Sequence, residues 1–132
     1  MDIKVLNREN RLLNWIALII WMGMIFYLSS IPNLKISEGL EDLILRKIAH
    51  FVEFFILALL WFKALRVTKK NLSKLNIIFL SCCFSIIYAI LDEFHQSFVP
   101  TRCASIIDVF IDSLGVLFFS LIAIRNKISK II

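Results

Sequence analysis

Lys47, His50 and Glu53 stand three residues apart; Asp92 and His95 are again three apart, with Gln96 four from Asp92; Asp108 and Asp112 are four apart. On a helix such spacings put side chains on one face, so the chain presents three polar stripes. Three kinds of chemistry are open to them. A histidine held by a carboxylate, such as His50 by Asp92 or Glu53, can activate water, and Glu93 or His95 can serve as the base instead. The same side chains can bind a divalent cation, oxygen-rich sets favouring Mg or Ca and mixed histidine sets Zn or Mn. No H-x-x-x-H or C-x-x-C spacing singles out a metal, so metal and cofactor stay unknown at this level. In the third, Lys47 and Arg102 grip a phosphate, Arg102 through a bidentate fork, while the helices hold a lipid tail.

The elements that must position these stripes are read from composition. The 132 residues are 60% hydrophobic and 19% charged, with a mean hydropathy of +0.85, too apolar for a soluble domain and too short for two domains. A net charge of +5 does not point to nucleic acid, because the basic residues punctuate apolar runs instead of gathering on a polar face. Four runs, Leu12 to Ser30, Ile48 to Leu65, Leu75 to Phe94 and Cys103 to Ile124, each approach the roughly 20 residues that a helix needs to cross a bilayer. Uninterrupted runs exclude alternating barrel strands. The expected fold is all-α, one domain over residues 1–132, a four-helix transmembrane bundle. A cleavable signal peptide competes for the N-terminus, but the run is long for one and lacks an A-x-A-like exit before Ser29 and Ser30, which favours an uncleaved first helix.

Eleven of the 15 Lys and Arg residues lie near the N-terminus, around the second connection or in the C-terminal tail; Lys35, Arg46, Lys47 and Arg102 flank the other two connections. The positive-inside rule then predicts cytoplasmic termini and an outward-facing polar cluster, shared by eight of the ten acids. Pro32 and Pro100 follow the outward-running helices, where a residue without an N–H ends a helix at little cost. Between the first two spans, Ile36, Leu40, Leu43 and Ile44 recur at helical spacing opposite Glu38, Glu41 and Asp42. This predicts a short amphipathic helix over Ser37 to Arg46 on the outer surface, with Ser37 as N-cap. Cys82, Cys83 and Cys103 offer no simple framework of bridges and read as packing residues. Trp15 and Trp61 read as interface anchors near the cytoplasmic boundary.

A plainer account treats the polar residues as solvated helix ends and structural ion pairs, Asp108 with Arg102 and Glu53 with Lys47. It suits Glu93, Lys47 and Gln96, whose side chains can snorkel to water. It suits Asp112 least, which lies about ten residues inside its run, where charge is costly.

The segment Asp92-Glu93-Phe94-His95-Gln96-Ser97-Phe98-Val99-Pro100-Thr101-Arg102, continuing to Ser105, Asp108 and Gly115, resembles the signature of the VanZ-like family. Leu28-Ser29-Ser30-Ile31-Pro32 is similar to that family's Ser-rich, Pro-ended exit from the first helix, and Lys47-x-x-His50-Phe51-x-Glu53-Phe54 to its second motif. The chain departs from the pattern at Thr101, where Gly is common before the Arg, at Asp112, where Asn is common, and at Phe54, where Tyr is common. The resemblance implies a small integral protein of the bacterial plasma membrane, in a family whose founding member is associated with low-level teicoplanin resistance. It supplies a setting and no established reaction.

Together these readings lead to an outward-facing site that binds or modifies an amphiphile, either a membrane lipid or lipid-linked envelope precursor or a lipoglycopeptide. His50, Asp92, Glu93, His95 and Asp108 are the candidates for chemistry, and Lys47, Glu53, Gln96 and Arg102 for ligand binding. Asp92 and Asp108 would orient His50 and Arg102. The alternative is a small proton-coupled carrier or a non-catalytic accessory subunit, for which the buried Asp112 is the best argument. With four spans and no repeat, a carrier would have to form an oligomer.

Overall fold

The four apolar runs become four helices: α1, Ile3–Ser29; α2, Leu40–Thr68; α3, Lys74–Gln96; and α4, Ile106–Ile124. They are seen in a computed structural model that describes residues 3–32, 34 and 39–125, with side chains from Asn10 onward. Among these residues there is no strand. Three segments, Asn10–Ser29, Lys74–Gln96 and Ile106–Ile124, are long and apolar enough to cross a membrane. Even the shortest of the helices, α4 with 19 residues, covers about 29 Å at 1.5 Å per residue, near the thickness of a hydrocarbon core.

α2 is not among those three segments, although it is the longest helix at 29 residues. It carries Lys47, His50, Glu53 and Lys63, and its place in the bundle explains how it tolerates them. It packs against α1, α3 and α4, α3 also contacts α1 and α4, and α1 and α4 do not meet among the described residues. α2 and α3 are therefore the inner pair. Phe54, Leu57, Ala58 and Phe62 from α2 interlock with Val116 and Phe119 from α4 and with Leu18 and Ile25 from α1, all essentially solvent-free. Outward faces are apolar too: Ile19, Ile20, Phe79, Ile107 and Phe110 are exposed. A helix set apolar on both its packed and its outer faces is built for lipid.

The helix boundaries correct two expectations. The amphipathic segment Ser37 to Arg46 is not a separate surface helix over its described part; Ser37 and Glu38 lie outside the described residues, and from Leu40 the chain runs without a break into the second span. No Gly or Pro separates Arg46 from Ile48, whereas Gly39 stands at the N-cap with φ +70°, a conformation that glycine adopts without steric cost. Within this first part of α2, Asp42 and Arg46 form an i,i+4 ion pair at 2.9 Å. In the fourth run, Cys103, Ala104 and Ser105 are not helical and α4 begins at Ile106. Asp112 thus lies in the second turn of its helix, about 9 Å from the start and short of the midplane.

Candidate functional site

The up-and-down order brings the α1–α2 and α3–α4 connections to one end of the bundle, and all three polar stripes meet there. Their partners lie on other helices. Lys47 of α2 pairs with Asp108 of α4, and one turn further in His50 Nδ1 and Asp112 Oδ1 are 3.0 Å apart. On α3, Asp92 Oδ2 accepts from Ser29 Oγ at 2.8 Å and from Gln96 Nε2 at 2.9 Å. Gln96 Nε2 also reaches Ser29 Oγ at 3.2 Å. His95 Nε2 is 2.9 Å from Ser30 Oγ, and its ring stacks on Phe26 with centroids 4.4 Å apart. Glu93 Oε2 accepts the backbone N–H of Ser105 at 2.8 Å, holding the start of α4 against α3.

Arg102 fastens the α3–α4 connection to the end of α1. Its Nε donates to the Ile31 carbonyl at 3.1 Å and its Nη2 to the Leu28 carbonyl at 3.0 Å. These carbonyls lie at and just past the C-terminal end of α1, where a cation is favoured by the helix dipole; the Leu28 carbonyl also accepts the Ile31 N–H at 3.3 Å. The preceding Thr101 has φ 72°, the left-handed region, among the described residues the one non-glycine residue with positive φ. This is the position at which the sequence pattern commonly carries Gly.

α4 can bring Asp112 to His50 because of Gly115, three residues on and on the same face. A Cβ at Gly115 would sit 2.2 Å from the Phe51 carbonyl oxygen and 3.2 Å from the Phe55 nitrogen, both backbone atoms of α2. Only a residue without a side chain permits this approach. The bundle closes at the glycine, and the closure determines which carboxylate meets His50.

The pairing differs from the sequence reading in three places. His50 is held by Asp112 and not by Asp92 or Glu53. Asp108 pairs with Lys47 and not with Arg102, which is occupied by carbonyls. Glu53 is half-buried on the His50 face, where its backbone carbonyl accepts Trp21 Nε1 at 3.1 Å. Asp112 was therefore the residue undervalued by sequence: fully buried, it sits at the centre of the cluster. Its i,i+3 relation to Gly115 was the available signal. Ser29, Ser30 and Ser105 are the other additions; the family-like motifs contain all three, but the sequence reading gave them no role in the site.

Beside this cluster lies a cavity of about 370 Å³. Of the candidates, Lys47, His50, Gln96, Arg102 and Asp108 line it, joined by Asp42, Arg46, Thr101 and Ser105 and by the apolar Leu34 and Leu43. Asp92 and Glu93 lie buried behind this lining, and His95 faces α1. Three carboxylate oxygens, Asp92 Oδ1, Glu93 Oε1 and Asp112 Oδ2, are buried without a hydrogen-bond partner. The arrangement can bind an anion through the cations at the cavity wall, or a cation through the acids behind it. It can also orient His50 as a base, since Asp112 fixes its ring from the Nδ1 side.

A family model described as VanZ/LLP1 matches residues 14–128, most of the chain. No curated protein and no solved structure matches it.

Proposed function

The chain belongs to the VanZ/LLP1 family, and from that premise we propose that it binds the polar head of an amphiphile, a lipid-linked envelope precursor or a lipoglycopeptide, at the outer face of a bacterial plasma membrane. In this reading all four helices cross the bilayer, both termini are cytoplasmic, and any teicoplanin-type protection follows from occupation of the site. The observation that carries it is the cavity of about 370 Å³, of a size suited to a small ligand head group. Its wall carries Arg46, Lys47 and Arg102, which beyond their bonds to Asp42, Asp108 and the α1 carbonyls have further N–H donors for a phosphate or carboxylate, and Gln96 and Asp108 as partners for hydroxyl groups. Leu43 in its lining and the exposed Phe98 and Ile106 on either side of the α3–α4 connection supply the apolar surface along which an acyl or polyprenyl tail would lie.

The orientation is supported by the distribution of Lys and Arg: Arg66, Lys69, Lys70 and Lys74 gather at the opposite end of the bundle. Cys103 is exposed in the α3–α4 connection. A membrane-impermeant maleimide applied to intact cells should label it and leave a Cys103→Ser variant unlabelled. Labelling only after the membrane is opened would reverse the orientation. For the ligand, a photo-crosslinking amino acid at Leu43 should capture an envelope amphiphile, and the same group at Phe79, near the basic end, should capture bulk phospholipid. Identical bulk phospholipid from both positions would remove the head-group reading.

The carrier alternative rests on Asp112. Deeper in the bundle the buried serines Ser81, Ser85 and Ser120 donate to carbonyls of their own helices, and Phe54, Phe62 and Phe119 fill the centre. These features favour a site at one end over a polar path through the bundle.

A further inference from the structure

His50, Glu93 and Asp112 come from three different helices, and each offers one ligand atom within 4.8 Å of the others. We propose that these three side chains bind one divalent first-row cation, of the Mn²⁺ or Zn²⁺ class, at the floor of the cavity. The bonding around them points to a missing positive charge. Asp112 gives one oxygen to His50 and Glu93 gives one to the Ser105 N–H; the second oxygen of each is buried without a partner. The residues themselves are 0% and 5% exposed, so the unmatched oxygens face the interior of the bundle. Protein cations nearby are committed elsewhere, Lys47 to Asp108 and Arg102 to two carbonyls. Two enclosed carboxylates are thus left to share one histidine, an arrangement that a metal ion balances and a hydrogen bond alone does not.

The geometry suits an ion. Two ligands about 2.1 Å from a common metal and at right angles to each other are about 3 Å apart, and His50 Nδ1 and Asp112 Oδ1 are separated by 3.0 Å. Opposed ligands would be about 4.2 Å apart on the same bond lengths. The three ligand atoms lie within 4.8 Å of one another, so a closure of at most about 1.8 Å brings all three onto one ion. One nitrogen and two carboxylate oxygens form a mixed set that Mn²⁺ and Zn²⁺ accept and that is poor in oxygen for Ca²⁺. Three protein ligands leave open positions, and the side that is open is the cavity, because His50 and Ser105 line it. If the head-group reading above holds, the ion is the anchor for the phosphate of the bound amphiphile, with Lys47 and Arg102 beside it. The metal site itself does not require that reading.

The full chain, purified in detergent and stripped with chelator, should take up one Mn²⁺, read by electron paramagnetic resonance, which avoids interference from Cys82 and Cys83. One molar equivalent of Mn²⁺ or Zn²⁺ should also raise the thermal unfolding midpoint. Glu93→Gln and Asp112→Asn preserve shape and should each weaken Mn²⁺ binding at least tenfold while the variants remain helical and monodisperse; His50→Ala should do the same. Exposed Glu41→Gln is the control and should bind as the parent does. No bound Mn²⁺ in the parent, or parent-like binding by Asp112→Asn, overturns the metal site. Should the Leu43 crosslink still capture an envelope amphiphile in that case, the head-group reading stands without the metal. A metal-loaded chain with no captured amphiphile gives the reverse.

Discussion

The two ends of the bundle are both rich in charge and use it in opposite ways. At the cavity end, polar side chains bond across helices: Ser29 to Asp92, Ser30 to His95, Lys47 to Asp108, His50 to Asp112. At the basic end, Arg66, Lys69 and Lys70 are exposed. The contacts given there are fewer: Ser73 caps its own helix and Arg66 lies over Phe62 of the same helix at 5.7 Å, while Trp15 Nε1 links α1 to α2 through Thr68 Oγ1 at 2.9 Å. Charge at the basic end is left to water. At the cavity end it needs other side chains, so the position of each helix is written into its partners.

The sharpest way to break this contrast is Gly115→Ala. The added Cβ meets backbone at 2.2 Å, so α4 must move from α2, at about 3 kcal/mol by analogy with overpacked cores. Thermal unfolding in detergent should show the loss, and spin labels at positions on α2 and α4 should show the helices farther apart. Unchanged stability would mean that the close approach is not what seats Asp112. Next in size is Asp92→Ala, which leaves Ser29 and Gln96 without their acceptor and should cost about 2 kcal/mol. Lys70→Ala at the other end should stay within about 0.5 kcal/mol. Equal effects from these two would erase the distinction between the ends. The smallest expected effect is a gain: Thr101→Gly relieves a β-branched residue from φ 72° and should add about 1 kcal/mol. A loss there would show that the Thr101 side chain contributes more than its backbone costs.

The contrast also explains what could be read from the chain in advance. Apolar run length and the two prolines located all four helices, because those are properties of one helix against lipid or water. Spacing put Lys47 with His50, and Asp108 with Asp112, on common faces for the same reason. The choice of partner was not legible. Whether His50 meets Asp92, Glu53 or Asp112 depends on the rotation and separation of α2 and α4, and those are set by an absent side chain at Gly115. The role of Arg102 was hidden likewise, since backbone carbonyls at the end of α1 leave no mark in the pattern of side chains. The boundary at Gly39 was missed because amphipathic spacing continues through Arg46 into the second span without changing period.

Every tie that holds α1 at the cavity end reaches far along the chain: Ser29 to Asp92, Ser30 to His95, and the Leu28 and Ile31 carbonyls to Arg102. The contacts of Lys47 and His50 reach as far, to Asp108 and Asp112. During synthesis the second helix must therefore carry Lys47 and His50 without these partners until the fourth helix has been made. A chain stopped before residue 108 lacks the two carboxylates that Lys47 and His50 meet, which makes the cluster a mark of completion.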